Sequence, residues 1–227
     1  DSACAVRSFY KGKACGTFGD MGMWSFDAMK TLSTADGGMM YFKSPEVRTV
    51  AEESLYLGLP VKSKSGLDSS AENSANWWEF EMNRTGRRAV MNNVTGAMGL
   101  SQLAKLPSFI ARRREIYNKY ICGLAQVGDI ELPPVPEFEH SSSYYFFWIQ
   151  TKFRDELAKF LLGKGIYTTF RYWPLHKVNL FSKYVSSDYP NADFAASRSL
   201  NIPLHQSLTD ENVNLIISSI KAFYEET

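Results

Sequence analysis

The chain has 227 residues, 25 Lys and Arg against 24 Asp and Glu, and 44% hydrophobic residues, which is a globular composition long enough for one or two real cores. Its net charge of +1 sets up no field that would select nucleic acid or an anionic membrane. No apolar run is long enough to cross a bilayer, the start does not resemble a secretory signal, and Cys4, Cys15 and Cys122 lack metal-binding spacing. A cytoplasmic protein with reduced thiols, no metal and no membrane or nucleic-acid partner is therefore expected.

In chain order, residues 1 to about 43 read as short strands separated by turns at Gly12, Gly16, Gly19 and Gly22. An apolar strand stops at Ser25-Phe26, a turn carries Lys30, and Asp36-Gly37-Gly38 turns the chain into a second apolar strand, residues 39–42. A lysine held between two buried strands is poorly solvated, and an amine so placed is a candidate nucleophile. The alternative is an ordinary solvated surface charge. Ser44-Pro45 predicts an N-cap and a first helical proline, opening a helix through Val47, Val50, Leu55 and Tyr56 to Gly58. Residues 60 to 76, rich in Ser, Lys, Gly and Asn, read as an exposed loop. Trp77-Trp78 beside Arg84, Arg87 and Arg88 suits a base-and-phosphate site, since rings stack on a nucleobase and guanidinium forks bind phosphate. A buried aromatic patch with a solvated basic turn accounts for the same residues.

Apolar spacing predicts a helix over 93–106, and Pro107 is expected to end it and open a second helix through Tyr120 and Leu124. The second carries Arg112-Arg113-Arg114, read as a solvated face. The domain change is placed at the proline, giving domains 1–106 and 107–227. Beyond an extended connector at residues 133–136, residues 144–150 predict a buried strand, Asp155 to Leu162 a helix, and Ile166 to Phe170 another strand. Thr209 caps a last helix with Val213, Ile216, Ile217, Ile220 and Phe223 on its apolar stripe.

The run Ser25-Phe26-Asp27-Ala28-Met29-Lys30 followed by Ala35-Asp36-Gly37-Gly38 resembles the lysine-bearing segment of the pyridoxal-phosphate-dependent sugar aminotransferases of the DegT/DnrJ family. Asp1-Ser2-Ala3-Cys4-Ala5 resembles the segment before it. Gly165-Ile166-Tyr167-Thr168 with Tyr172-Trp173-Pro174-Leu175-His176, and Ile202-Pro203-Leu204-His205, match further stretches, so the resemblance covers almost the whole chain. The version with Tyr172 and His176 is most similar to nucleotide-linked 4-keto-6-deoxyhexose 4-aminotransferases.

The resemblance implies an α/β chain of fold type I: the C-terminal part of a large PLP-binding domain with a mainly parallel sheet over 1–106, then a small α/β domain over 107–227. It implies that Lys30 attaches pyridoxal phosphate covalently, that Asp1 pairs with the pyridine nitrogen, and that Ser25 binds the phosphate. Arg88 falls where relatives carry an asparagine that reaches the phosphate across a dimer interface, and a guanidinium suits the same anion. Cys4 falls where relatives carry histidine or glutamine beside the cofactor, and a thiol lacks their donor and acceptor pair. Trp77, Arg84, Tyr172 and His176 are the candidate substrate contacts, and for His176 a structural hydrogen-bonded role is the alternative.

The implied activity belongs to deoxyamino sugar biosynthesis: transamination of a nucleotide-linked, by expectation dTDP-linked, 4-keto-6-deoxy sugar, with an amino-acid donor such as glutamate and pyridoxamine phosphate in the second half-reaction. Relatives that dehydrate instead carry histidine at the position of Lys30. The expected assembly is a cytoplasmic homodimer with shared active sites, and the chain is expected to lack the family's N-terminal segment. A catalytically silent member, serving as an assembly or nucleotide-binding partner, is the second reading.

Overall fold

Turn glycines and short apolar runs shape the first half of the chain. In the computed structural model, which describes residues 1–60 and 82–226, β1 (Phe9–Tyr10) pairs antiparallel with β2 (Lys13–Ala14), and β3 (Met21–Ser25) with β4 (Gly38–Phe42). The β3–β4 register runs from Met21 opposite Phe42 to Ser25 opposite Gly38, so the predicted strand end and the predicted Gly-Gly turn face each other. The chain divides into two units, Asp1–Ala104 and Lys105–Thr227. The reading of residues 61–76 as loop and the Trp77-Trp78 pair fall outside the described residues.

Ser44 caps α1 (Pro45–Leu55): its hydroxyl accepts from the Val47 amide at 3.2 Å, and Pro45 takes the first helical position, where a missing N–H costs nothing. The helix closes at Tyr56, two residues before Gly58, and buries none of its side chains. Val47 and Val50, expected to pack, are 43% and 42% exposed. The expectation of two buried strands around Lys30 is likewise corrected. Met21, Met23, Met39 and Met40 are all about half exposed, because this hairpin has a side not covered by the rest of its unit.

Pro107 does not break the helix it sits in. Residues Asn93–Leu124 form one helix, α2, with the proline inside it. A mid-helix proline frees one carbonyl, here that of Leu103, whose side chain is exposed, so water can replace the lost bond. The buried stripe Leu106, Ile116, Tyr120 and Leu124 secures the helix beyond it. The arginine triple is not uniformly solvated either. Arg113 is 5% exposed: its Nε donates to Gln206 Oε1 at 3.0 Å and its Nη1 reaches the carbonyls of Tyr144, Tyr145 and Leu204 at 3.0–3.1 Å. Burial lowers its pKa to about 10, which leaves it charged at neutral pH.

In the second unit β5 (His140–Ser141) precedes β6 (Phe147–Gln150), followed by α3 (Arg154–Gly163), two short 3₁₀ turns at Leu175–Lys177 and Asn179–Tyr184, α4 (Pro190–Arg198), β7 (Ser199–Ile202) and α5 (Asp210–Glu225). β6 and β7 pair antiparallel, from Phe147 opposite Ile202 to Gln150 opposite Ser199. The strand predicted from residue 144 starts only at Phe147, since Tyr144 adopts φ +49° and Phe146 turns out to solvent. Residues 166–170 meet β7 through a single bridge, Thr169 opposite Asn201, and form no strand of their own. Thr209 caps α5 as predicted, accepting from the Asn212 amide. Val213, Ile216, Ile220 and Phe223 of that helix join Ile116, Tyr120, Phe147 and Leu161 in the core of this unit.

Candidate active site

The loop between β3 and β4 is built by its own polar groups. The Phe26 amide donates to the Gly37 carbonyl at 2.9 Å and the Thr34 amide to the Phe26 carbonyl at 2.8 Å, which closes the neck. Asp27 makes an Asx turn, its Oδ1 accepting from the Met29 amide at 2.9 Å, while the Lys30 amide donates to the Asp27 carbonyl at 3.0 Å. Asp36 Oδ1 accepts from the adjacent Gly37 amide at 2.8 Å, and Thr34 Oγ1 donates to the Asp36 carbonyl at 2.6 Å. Ala35, at φ +67°, takes the left-handed position in this tight return. Lys30 is thus held by a structured loop, half-buried, not by a mobile tip.

The first residues reach the same strand. The Ser2 amide donates to the Met23 carbonyl at 2.9 Å, and Asp1 Oδ1 accepts from the Ala3 amide at 2.8 Å. These bonds set Cys4 beside the loop, with the Lys30 amine 3.4 Å from its sulfur. Ser25 stands at the end of β3, its Oγ accepting from the Asp27 amide at 3.3 Å, so the hydroxyl proton points away from that bond. Next to Lys30, Thr31 is 2% exposed and its Oγ1 has no hydrogen-bond partner among the described residues. Sequence reading passed over Thr31. A hydroxyl directly after the lysine was the available signal, but only burial makes its unsatisfied state informative.

Arg84 and Arg88 lie on a segment docked against the end of α1. The Arg87 amide donates to the Ser54 carbonyl, the Ala89 amide to the Leu55 carbonyl, and Arg88 bridges Tyr56. Gly58, at φ +85°, and Gly86 permit this: a Cβ on Gly58 would stand 2.0 Å from the Arg84 carbonyl oxygen. Arg84 is engaged by Glu53 at 2.5 Å, a partner that sequence spacing did not suggest, whereas Arg88 is exposed.

Tyr172 and His176 belong to the second unit. Tyr172 is 72% exposed. His176 Nε2 lies 2.8 Å from Asp193 Oδ1, and its ring packs 4.9 Å from Tyr189. Lys177 binds the same carboxylate at 2.8 Å, and the two side chains hold Asp193 below the usual carboxylate range. His176 and Tyr189, with Leu175, Phe181, Tyr184 and Val185, line a cavity of about 340 Å³. A second cavity, about 430 Å³ and mostly apolar, lies in the first unit among Phe9, Trp24, Leu32, Met91 and Leu103, with the charged Arg7 also in its lining. No group of His, Cys, Asp and Glu that could hold a metal occurs among the described residues.

Residues 1–221 match the model of the DegT/DnrJ/EryC1/StrS aminotransferase family. The chain belongs to that family. It is 45% identical over 227 residues to the dTDP-4-dehydro-2,3,6-trideoxy-D-glucose 4-aminotransferase of Saccharopolyspora spinosa, with 99% of this chain and 58% of that protein covered. Among solved structures, the aminotransferase TlmJ from Streptoalloteichus hindustanus superposes at a TM-score of 0.87 with 43% identity over 100% of this chain and 58% of its own. The PMP form of Spr1654 from Streptococcus pneumoniae gives 0.87 at 27% identity, over 100% and 58%. The chain thus spans somewhat more than half the length of these relatives.

As a member of this aminotransferase family it has the fold type I architecture expected from the resemblance. The pairs β1–β2, β3–β4 and β6–β7 are nonetheless antiparallel. β3 and β4 are joined by a loop of twelve residues whose neck is closed by the Phe26–Gly37 hydrogen bond, so the chain returns as a hairpin and not through a crossover.

The donor set fits the family's cofactor chemically. Lys30 offers an amine for an aldehyde, Asp1 a carboxylate for a pyridinium nitrogen, and Ser25 a hydroxyl for a phosphate. The orphaned Thr31 hydroxyl adds a buried polar group that calls for a partner.

Proposed function

We propose that the protein is a sugar-nucleotide aminotransferase in which Lys30 holds pyridoxal phosphate and the amino group passes from an amino acid such as glutamate to the C4 carbonyl of a dTDP-linked 4-keto-6-deoxy sugar. The observation that carries this reading is the placement of the Lys30 amine. It sits on a structured, half-buried loop, turned to the Asp1–Cys4 segment. The 45% identity to a dTDP-sugar 4-aminotransferase supports the substrate class.

In this reading Lys30 holds the cofactor through Nζ, Asp1 accepts the ring-nitrogen hydrogen bond, Ser25 donates to the phosphate, and Arg88 pairs with the same phosphate. When bound, the cofactor supplies an electron sink for charge that develops on the adjacent carbon. The Lys30 Nζ, once free, takes the proton from the carbon that carries nitrogen in the donor and returns it at C4 of the sugar. Asp1 keeps its partner nitrogen protonated by placing a fixed negative charge against it. Tyr172 and His176 bind the sugar-nucleotide, with the Asp193 hydrogen bond orienting the His176 ring. Domains 1–106 and 107–227 carry these two sets of residues. A homodimer in the cytoplasm, with Arg88 and the aromatic edge serving a shared site, completes the proposal. The exposure of Arg88 supports it.

The test is covalent capture. Purified protein with pyridoxal phosphate and borohydride is expected to carry a reduced adduct on the peptide containing Lys30, to lose it in Lys30→Ala, and to aminate a dTDP-4-keto-6-deoxy sugar with glutamate. An adduct spread over other lysines, or unchanged in Lys30→Ala, would sink the assignment.

A further inference from the structure

The contact between Lys30 and Cys4 places a nitrogen nucleophile 3.4 Å from an oxidisable sulfur. Both residues are half-buried, so a small oxidant can reach them while bulk solvent is restricted. Both are also anchored to one strand. Ser2 binds the Met23 carbonyl, and the loop of Lys30 starts from Ser25 through the Asp27–Ser25 bond. The pair is therefore pre-positioned, and a covalent bond between them requires a side-chain movement of only one to two ångströms, on the order of a rotamer adjustment. Cys15, by comparison, lines an apolar cavity, and Cys122 is exposed on α2.

We propose that Cys4 and Lys30 form a reversible sulfur–nitrogen crosslink under hydrogen peroxide. The Cys4 sulfur attacks one peroxide oxygen; the O–O bond breaks, the sulfur loses two electrons, and the product is a sulfenic acid with one water released. The neutral Lys30 nitrogen then attacks that sulfur, an S–N bond forms as the S–O bond breaks, and the oxygen leaves as a second water with a proton from nitrogen. Thiol, amine and one peroxide thus give a sulfenamide and two waters. Two equivalents of an added thiol reverse it, restoring Cys4 and Lys30 and leaving as their own disulfide. The crosslink rests on the 3.4 Å contact; its consequence for activity rests on the reading that Lys30 holds the cofactor, because a nitrogen bonded to sulfur is not available for an aldehyde.

The test is peptide mapping of the purified, cofactor-free chain after hydrogen peroxide. The expected product joins the Cys4 and Lys30 peptides at a mass about 2 Da below their sum, the signature of S–N condensation. It disappears with dithiothreitol and is absent from Cys4→Ser and from Lys30→Arg, both checked for native circular dichroism. Prior loading with pyridoxal phosphate is expected to suppress it at least tenfold. Recovery of Cys4 as sulfinic acid or as a dimedone-trapped sulfenic acid with Lys30 unmodified would overturn the proposal, as would equal crosslinking of other lysines. A crosslink that forms but ignores pyridoxal phosphate would uphold this chemistry and count against Lys30 as the cofactor lysine.

Discussion

The two units solve different physical problems. In Lys105–Thr227 a cluster from Ile116 to Phe223, including Tyr120, Phe147, Ile149 and Val213, is withdrawn from water, and a buried arginine ties backbone carbonyls together inside it. In Asp1–Ala104, Leu32 is the one large apolar side chain that is buried among the described residues, and the methionines of the β3–β4 hairpin are about half exposed. That unit is instead organised by short hydrogen bonds of Asp, Thr and Ser to neighbouring backbone, and these shape the loop that carries Lys30. A region held by polar local bonds specifies side-chain positions well but stores little hydrophobic stabilisation, since each such bond contributes only about 1 kcal/mol net. A region held by a core does the reverse.

The sharpest way to break this contrast is to cut the core. Phe147→Ala removes a fully buried ring at the meeting point of Tyr117 and Tyr120 and is expected to cost about 3–5 kcal/mol in the denaturant unfolding of the second unit. Amide exchange in the loop at residues 26–37 should stay at its wild-type protection; if that loop melts in parallel, the two units are not independent in stability. Acid gives a milder cut. Burial pushes Asp129 up, but hydrogen bonds from Thr151 Oγ1, the Lys152 amide and the Tyr224 hydroxyl outweigh it and hold the carboxyl below its usual value. The unfolded chain therefore takes up this proton first, so the contribution of Asp129 is full above about pH 4 and is lost as pH falls through the folded-state value. Melting temperature against pH should show this acid loss in the wild type and a flatter profile in Asp129→Asn. The smallest expected effects are at the two matched caps. Thr209→Ala should lower the stability of the second unit by about 1 kcal/mol, because α5 is packed into its core. Ser44→Ala should show only as faster amide exchange in the first turn of α1, which buries nothing.

Much of the architecture could be read from local signals. Ser44-Pro45 and Thr209 mark helix starts because a side-chain oxygen satisfies an orphan amide a few residues on, and Asp36-Gly37-Gly38 marks the return of the hairpin. These are interactions within a few residues, and the sequence contains them whole. The misses are long-range. Pro107 breaks a helix in isolation, but the buried stripe on the far side of it holds α2 together. Arg113 looks like its neighbours Arg112 and Arg114, and only acceptors some 31 to 93 residues away distinguish it. The same division holds at the site. The lysine, the serine and the strand ends around them were legible from one motif. The orphaned Thr31 hydroxyl, the Glu53 partner of Arg84 and the Asp193 partner of His176 depend on contacts that no spacing announces.

Arg113 has an evolutionary corollary. Three of its four acceptors are main-chain oxygens, and main-chain oxygens do not change when a codon does. A salt bridge between two side chains can drift by reciprocal substitution, with one partner compensating the other. This clamp has no such route, because no replacement at positions 144, 145 or 204 alters what those carbonyls ask for. Lysine, one nucleotide away from some arginine codons, brings a single ammonium to a site shaped for a planar fork. The backbone around this position therefore asks for a planar fork on structural grounds alone, independently of the role proposed for Lys30.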